Sequence, residues 1–413
     1  MTEQVMGSRR VAVVGAGAAG ILAAIFAAAA GSETFLLERT RDGGRKILIS
    51  GGGRCNILPS RLEESRFVTD SSPHTLRNML RTWPLQEQIA FFEREVGLPL
   101  VEEPASAKLF PVSQRARDVR DGLLALAARH GARFIPNTLV TGFAPAGGGW
   151  RIECADGPPL EVDAVIVATG GLSVPSTGSD GAGLAVLQAL GHAIHPTYAA
   201  LTPVLDDPPL FGSLAGVSLP VRLTARDGSR SATAAGGFLF THHGYSGPAV
   251  LDVSHVLVRA RADGAAARLQ VRWTALDAEG WTSALRAAGG RSVGAVVRGE
   301  LPARLADALV QAAGIDPARP LAQLRREERL RLVEGLVRGE LPWTGDEGYR
   351  KAEVTGGGVT LAEIDPRSME SRRHPGLYLC GEVLDAFGPI GGYNFLWAWA
   401  TGRAAGLGAA HPR

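Results

Sequence analysis

The sequence predicts an α/β protein: a Rossmann-like dinucleotide-binding domain interrupted by an inserted segment of different character. Three observations carry that expectation. A short apolar run at 11–14 leads directly into Gly15-Ala16-Gly17-Ala18-Ala19-Gly20. Glu38 stands eighteen residues beyond the last of these glycines (38 − 20). The glycine-rich, strand-like texture of the first part returns after Pro342, behind a stretch that is first β-like and then helical.

A chain of 413 residues is too long for one ordinary core and implies two or three packing units. Hydrophobic residues make up 45% and charged residues 20%, the balance of a soluble globular protein. A formal net charge of +2 gives no electrostatic reason for a nucleic acid or membrane partner. The expected partner is a small-molecule substrate. The three cysteines, Cys55, Cys154 and Cys380, include no C-x-x-C pair, which argues against a redox dithiol and a zinc site. No metal is expected, and so sparse a set fits a reducing, cytoplasmic compartment. Only Lys46, Lys108 and Lys351 are lysines among 43 basic residues, so each marks a place where an ammonium is favoured over a guanidinium.

The elements follow in order. The run at 11–14 reads as a parallel strand buried on both faces, and 21–30 as a helix closed by Gly31. Phe35-Leu36-Leu37 forms the second strand of a βαβ unit. The uncharged stretch 11–30 has the length of a membrane span, but its glycines divide it into strand, turn and helix. Helical patterning recurs at 73–98 and 119–130, and strands are expected at 134–135, 150–154 and 163–168. A helix at 182–190 follows Asp180. From 196 to about 273 short β-like runs alternate with Pro and Gly turns, and 281–336 is helical in pattern. A last strand at 377–382 and a last helix at 395–405 complete the chain.

The glycine hexamer has a physical logic. Gly15 permits a tight turn, Gly17 lets backbone approach a pyrophosphate, and Gly20 lets helix and strand pack closely. The phosphates rest where free N–H groups and the helix dipole favour anions. An acid at Glu38 accepts hydrogen bonds from ribose hydroxyls and disfavours a 2′-phosphate. The hexamer alone does not separate FAD from NAD. No second strand–G-x-G-x-x-G–helix unit is visible, since Gly178-Ser179-Asp180-Gly181-Ala182-Gly183 lacks the spacing, so any NAD(P)H would dock transiently.

Further segments carry a resemblance along nearly the whole chain: GRKILISGGGRCN at 44–56, LFTHHGYSGP at 239–248, AEVTGGGV at 352–359 and CGEVLDAFGPIGGYNFLWAWATG at 380–402. The chain resembles glutathione-reductase-like FAD proteins, and more narrowly the flavoprotein family that includes aminoacetone oxidase and a bile-acid reductase. The resemblance implies non-covalent FAD. Glu38, with Arg39 beside it, would bind the adenosine ribose. Arg45, Lys46 and the loop Ser50-Gly51-Gly52-Gly53-Arg54-Cys55-Asn56 would run beside the flavin and its phosphates. Thr169-Gly170-Gly171 would pass the adenosine half. Gly381-Glu382, with Asp385 following, matches the acid that holds the ribityl chain. Gly391-Gly392-Tyr393-Asn394 would set the last helix against the pyrimidine edge of the isoalloxazine. The chain departs from the family at Ile57-Leu58-Pro59, where a polar pair is expected.

Catalytic side chains are not evident, and Lys46, Cys55 and His242 are only weak candidates. His242 and His243, read as neighbours on a strand, point to opposite faces and cannot share a metal. Flavin carries hydride chemistry itself, so sparse catalytic residues are expected. The implied domains are 1–195 and 346–413 for FAD, with 196–345 inserted (β-rich 196–275, helical 276–335) as a barrel-like and helical cap roofing the flavin. The resemblance covers amine oxidation and reduction of enone-like double bonds. The rivals are an RNA-modifying flavoprotein, which a concentrated basic face in the insert would favour, and a non-catalytic flavin-binding protein.

Overall fold

The computed structural model describes residues 8–104, 106–286 and 290–411. The chain forms two compact units, one running to Thr197 and resuming at Val354, the other spanning Tyr198–Glu353.

The first unit is built on β1 (Arg10–Val14), α1 (Ala18–Ala29) and β2 (Glu33–Leu37). Its sheet has five strands in the order Leu377–Leu379, Ala164–Val167, β1, β2, Arg133–Ile135. Every pairing is parallel, with Val13 facing Ile166 on one side and Leu36 on the other. Val11, Ala12 and Val13 are fully buried, which explains an uninterrupted apolar run instead of an alternating one.

Small residues set the packing of α1. The final helix, Tyr393–Ala410, lies against it so closely that a Cβ on Gly402 would come 2.4 Å from the Ala19 carbonyl oxygen. The charge-free segment is thus a strand, a turn and a helix buried in one domain. Among the described residues no helix is long and apolar enough to cross a membrane. The helical patterning at 73–98 resolves into Pro73–Leu80 and Leu85–Phe91 with a further turn at Phe92–Val96.

The second unit holds a seven-stranded antiparallel sheet. Its centre is the long hairpin of Ser218–Arg226 and Ser231–Thr241, with Arg268–Arg272 on the far side of the first strand. One stretch differs from the β-rich expectation: Pro248–Ala262 is a helix of 15 residues. Val250, Val253, Val256, Leu257 and Ala260 are its buried stripe, spaced as a helix requires. Gly247 and Pro248 start it, the fixed ring suiting the first turn. His242 and His243 differ too: they form the exposed turn between Thr241 and Gly244 and not part of a strand.

Candidate functional site

At the start of α1 the chain is nearly solid with backbone. A Cβ on Gly20 would lie 1.9 Å from the Gly15 carbonyl oxygen, and one on Gly15 2.6 Å from that of Ala168. Gly17 is the opposite case, since an added Cβ there meets nothing within 4 Å. Gly17 also starts the helix without a capping side chain, and the first turn has no acid. The first-turn amides of the helix therefore have no capping side chain at the positive end of its dipole.

Glu38 follows β2 at the carboxyl edge of the sheet. Its Oε2 accepts from the Ala16 amide at 2.8 Å, and its Oε1 from the Thr40 amide at 2.8 Å and the Thr40 hydroxyl at 2.6 Å. The carboxylate is thereby fixed beside the glycine turn. Arg39 pairs instead with Asp180, and Arg45 reaches Asp42 and the Ser176 carbonyl.

A second carboxylate, Glu382, follows strand Leu377–Leu379 at the same edge of the sheet. It joins residues remote in sequence. Oε2 receives Lys46 Nζ at 2.7 Å; Oε1 receives the Ser173 hydroxyl at 2.6 Å and the Thr355 amide at 3.0 Å. Lys46 also donates to Ser173 Oγ at 2.6 Å. Burial alone would raise the Glu382 pKa, but the Lys46 ammonium and the hydrogen bonds hold it below the ordinary carboxylate value. Gly171 sits against this network, where a Cβ would lie 2.4 Å from Thr355 Oγ1 and 2.9 Å from Glu382 Oε1. Ser173 and Thr355 escaped the sequence reading; the only trace was Thr355 in the quoted segment at 352–359.

The loop 50–56 curls through left-handed glycines, with Gly51 at φ 55° and Gly52 at φ 67°. Beside Gly52 an added Cβ meets nothing within 4 Å. Ser50 Oγ donates to the Ile47 carbonyl at 2.8 Å. The Arg54 guanidinium stacks 4.2 Å over the Phe110 ring and pairs with Glu103 at 3.0 Å. Asn56 Oδ1 and its amide flank Gly51. Cys55 is fully buried, and burial pushes its thiol up to about 12. That environment suits packing and not nucleophilic chemistry. Cys380, also buried, is shifted the same way.

A simple measurement checks this. Titration of the folded protein with a thiol reagent at pH 8 is expected to modify Cys154 alone, the one partly exposed cysteine, and all three only after denaturation. Rapid modification of Cys55 in the folded protein would contradict its buried setting.

Asp385 is directed inward to the turn at 69–71. Its Oδ2 accepts from the Ser71 amide and hydroxyl, each at 2.8 Å, from the Thr69 hydroxyl at 2.9 Å, and from the Asp70 amide at 3.0 Å. Burial raises its pKa. Gly392 opens the final helix at φ 93°, pressed on β-strand backbone: a Cβ would lie 2.4 Å from the Leu58 carbonyl carbon. Asn394 ties that turn through both Gly388 backbone groups at 2.9 Å, and the Tyr393 hydroxyl donates to the Arg61 carbonyl at 3.2 Å. Around 391–394 it is backbone, not side chains, that remains for a ligand.

The first unit thus brings Glu38, the glycine turn, Thr169–Gly171, Lys46 and Glu382 to the carboxyl side of one parallel sheet, where such folds bind ligands. His242 belongs to the second unit. Among the described residues no group of three or more His, Cys, Asp or Glu comes together as a metal site.

The residues present suit FAD. Open space lies beside Gly17 and Gly52, the helix start is uncapped, and the buried Thr169 hydroxyl has no hydrogen-bond partner among the described residues. The class this fold and site define is that of FAD-dependent oxidoreductases. Residues 9–408 match the HI0933-like protein Rossmann domain, and the chain belongs to that family.

Relatives match this chain over almost their whole length. The ribosomal RNA dihydrouridine synthase of Escherichia coli (strain K12) is 33% identical over 400 residues, 94% of this chain and 95% of the relative. The 3-dehydro-bile acid delta(4,6)-reductase of Clostridium scindens is 30% identical over 409 residues, 97% of this chain and 99% of the relative. Among solved structures, the 3-ketosteroid delta1-dehydrogenase of Sterolibacterium denitrificans has a TM-score of 0.55 at 12% identity, covering 98% of this chain and 100% of that one. That likeness is one of fold.

Proposed function

We propose that this protein reduces a carbon–carbon double bond conjugated to a carbonyl group, with a reduced nicotinamide as transient electron donor. One observation carries the reading: two relatives matched over almost their whole length are named for different substrates but for the same kind of bond change. Dihydrouridine is uridine with two hydrogens added across the C5–C6 double bond, which is conjugated to the C4 carbonyl. A 3-dehydro bile acid with double bonds at positions 4 and 6 presents the same motif extended by one vinyl group. In both, hydride suits the electron-poor carbon at the far end of the conjugated system, and a proton completes the reduction.

FAD, when bound, supplies the two-electron relay between donor and substrate. In this reading Gly17 and the start of α1 receive the pyrophosphate, Glu38 the adenosine ribose, and Glu382 with Lys46 the ribityl region. Residues 1–195 and 346–413 hold the cofactor, and 196–345 selects the substrate. The buried, neutral thiols of Cys55 and Cys380 leave no dithiol relay to compete with direct transfer.

The test is anaerobic stopped-flow absorbance. NADH or NADPH is expected to bleach the ~450 nm flavin band within seconds, and a 3-oxo-4-ene steroid or a uridine-containing RNA to restore it without oxygen. Bleaching by an amine, with peroxide on aeration and no response to nicotinamide, would replace the reading with amine oxidation, the other reaction the resemblance implies. A flavin that no donor reduces would leave a binding protein only.

A further inference from the structure

The second unit carries a basic surface that the near-neutral net charge conceals. Strands Ser218–Arg226 and Arg268–Arg272 run antiparallel with Arg222 directly opposite Arg272 and Arg226 directly opposite Arg268. Residues four apart on a strand share a face, so all four guanidinium groups project to one side. It is the solvent side: Leu219, Val221, Leu223 and Ala225 fill the alternate positions and are buried, while Arg222, Arg226 and Arg268 are exposed.

Like charges directly opposed across a ladder are destabilising. Two such pairs on one face, with Thr224 and Gln270 between them, are a cost without a visible return inside the fold. Compensation is thin. Arg268 meets Glu340 at 3.5 Å with both side chains mostly exposed, and Arg226 reaches only the Ser231 hydroxyl at 3.2 Å. Arg222 has no ion-pair or hydrogen-bond partner among the described residues, and Arg272 bonds the Ala275 carbonyl while its buried Nε has none. The inner pair opens into a cleft of about 890 Å³ whose other wall is 298–302, where Arg298 is held by Asp307 and Glu300 is the one acid.

We infer that this sheet face binds the phosphodiester backbone of an RNA strand. The guanidinium fork matches phosphate oxygens in a way an ammonium does not. Between the two arginine pairs lie Thr224, Thr233 and Gln270, short hydrogen-bonding side chains suited to ribose hydroxyls and base edges. No large exposed hydrophobic residue lies on the face, which disfavours insertion into a membrane. The surface is distinct from the run Arg325-Arg326 and Arg329-Leu330-Arg331, where Glu328 is spent on Arg319 and the Arg325 amide. The inference rests on and deepens the proposed reaction by assigning a surface to RNA among its substrates, and because binding is read without turnover its failure is distinguishable from failure of that reaction.

The experiment is fluorescence anisotropy of a labelled 20-nucleotide single-stranded RNA with the FAD-loaded full chain across a salt series. Binding is expected to weaken with salt at a log–log slope of about −2 to −3, the value for three or four phosphate contacts on a single strand. R222A/R272A is expected to raise Kd at least tenfold at 0.1 M salt and to flatten the slope by about 1.4, two contacts' worth. R222K/R272K should recover most of the slope. Because the substitutions relieve like-charge repulsion, the melting temperature should hold or rise; R226Q/R268Q, at the outer pair, supplies a second reading should the first variant misfold. A Kd changed less than threefold by both double variants overturns the inference. So does an equal dependence on these arginines for polyglutamate or anionic phosphatidylglycerol vesicles bound more tightly than RNA, which would assign the face to an acidic protein or a lipid surface.

Discussion

Gly17→Ala is expected to leave the protein folded and strip it of FAD, while Gly20→Ala, three residues on, is expected to cost the fold itself. The two glycines stand in one turn but face opposite constraints. At Gly17 an added methyl meets no protein atom within 4 Å, and its φ of −78° is ordinary for alanine. Stability should therefore stay within about 1 kcal/mol of wild type, the range of a changed N-cap. On the proposed assignment the methyl would instead occupy the space that Gly17 leaves for the pyrophosphate, and FAD affinity should fall at least a hundredfold, about 2.8 kcal/mol. At Gly20 the methyl would lie 1.9 Å from the Gly15 carbonyl oxygen and 3.1 Å from the Ala168 Cβ. Neither neighbour is a flexible side-chain tip. The helix would have to lift off β1, and overpacking of this kind costs about 3 kcal/mol or more. Urea unfolding of flavin-free protein and titration with FAD separate the two effects. A Gly17→Ala protein that keeps its yellow colour through extensive dialysis would remove the glycine turn from the cofactor site.

That contrast also marks how far the sequence could be read. The β1–α1–β2 unit was legible because its determinants are local: an apolar strand, three glycines and an acid within 29 residues (10 to 38). Lys46 was conspicuous by rarity, and its partner Glu382 by the segment around it, but the bond joining them crosses 336 positions and has no local trace. Ser173 and Thr355 were missed for the same reason. The helix Pro248–Ala262 was passed over because its valines suit a strand by propensity, and the 3.6-residue spacing of the buried ones was outweighed by the Pro and Gly turns around it. The basic sheet face could not be seen at all, since it exists only in the register of two strands separated by about 50 positions (222 to 272). A summed charge of +2 holds no information about where the charges stand.

Lys46→Met is expected to produce the second large effect, and one whose sign depends on pH. Glu382 has 18% of its side chain exposed and Lys46 25%, so the pair is largely withdrawn from solvent. Removing the ammonium leaves an enclosed carboxylate with two hydrogen-bond donors and no countercharge, a change that costs about 3–5 kcal/mol for a buried pair. In the wild type the carboxylate pKa in the fold lies below its ordinary value of 4.5. Its contribution is therefore fully present above that value and is lost as pH falls through the folded-state pKa. In Lys46→Met the ammonium no longer offsets burial and only the Ser173 and Thr355 hydrogen bonds oppose it, so the pKa rises, and the penalty is largest near neutrality and shrinks as acid protonates Glu382. The two stability curves should converge toward pH 4, where wild type loses its ion pair while the variant sheds its unpaired charge. Glu382→Gln keeps the donors occupied and leaves Lys46 its bond to Ser173, so it should cost less, about 1–3 kcal/mol. The double variant should then be more stable than Lys46→Met alone by about 2 kcal/mol, because the uncompensated charge is gone. Urea titrations at pH 4, 5.5 and 7, with and without FAD, measure all three. A Lys46→Met penalty that stays constant across that range would mean the ammonium acts on something other than the Glu382 carboxylate.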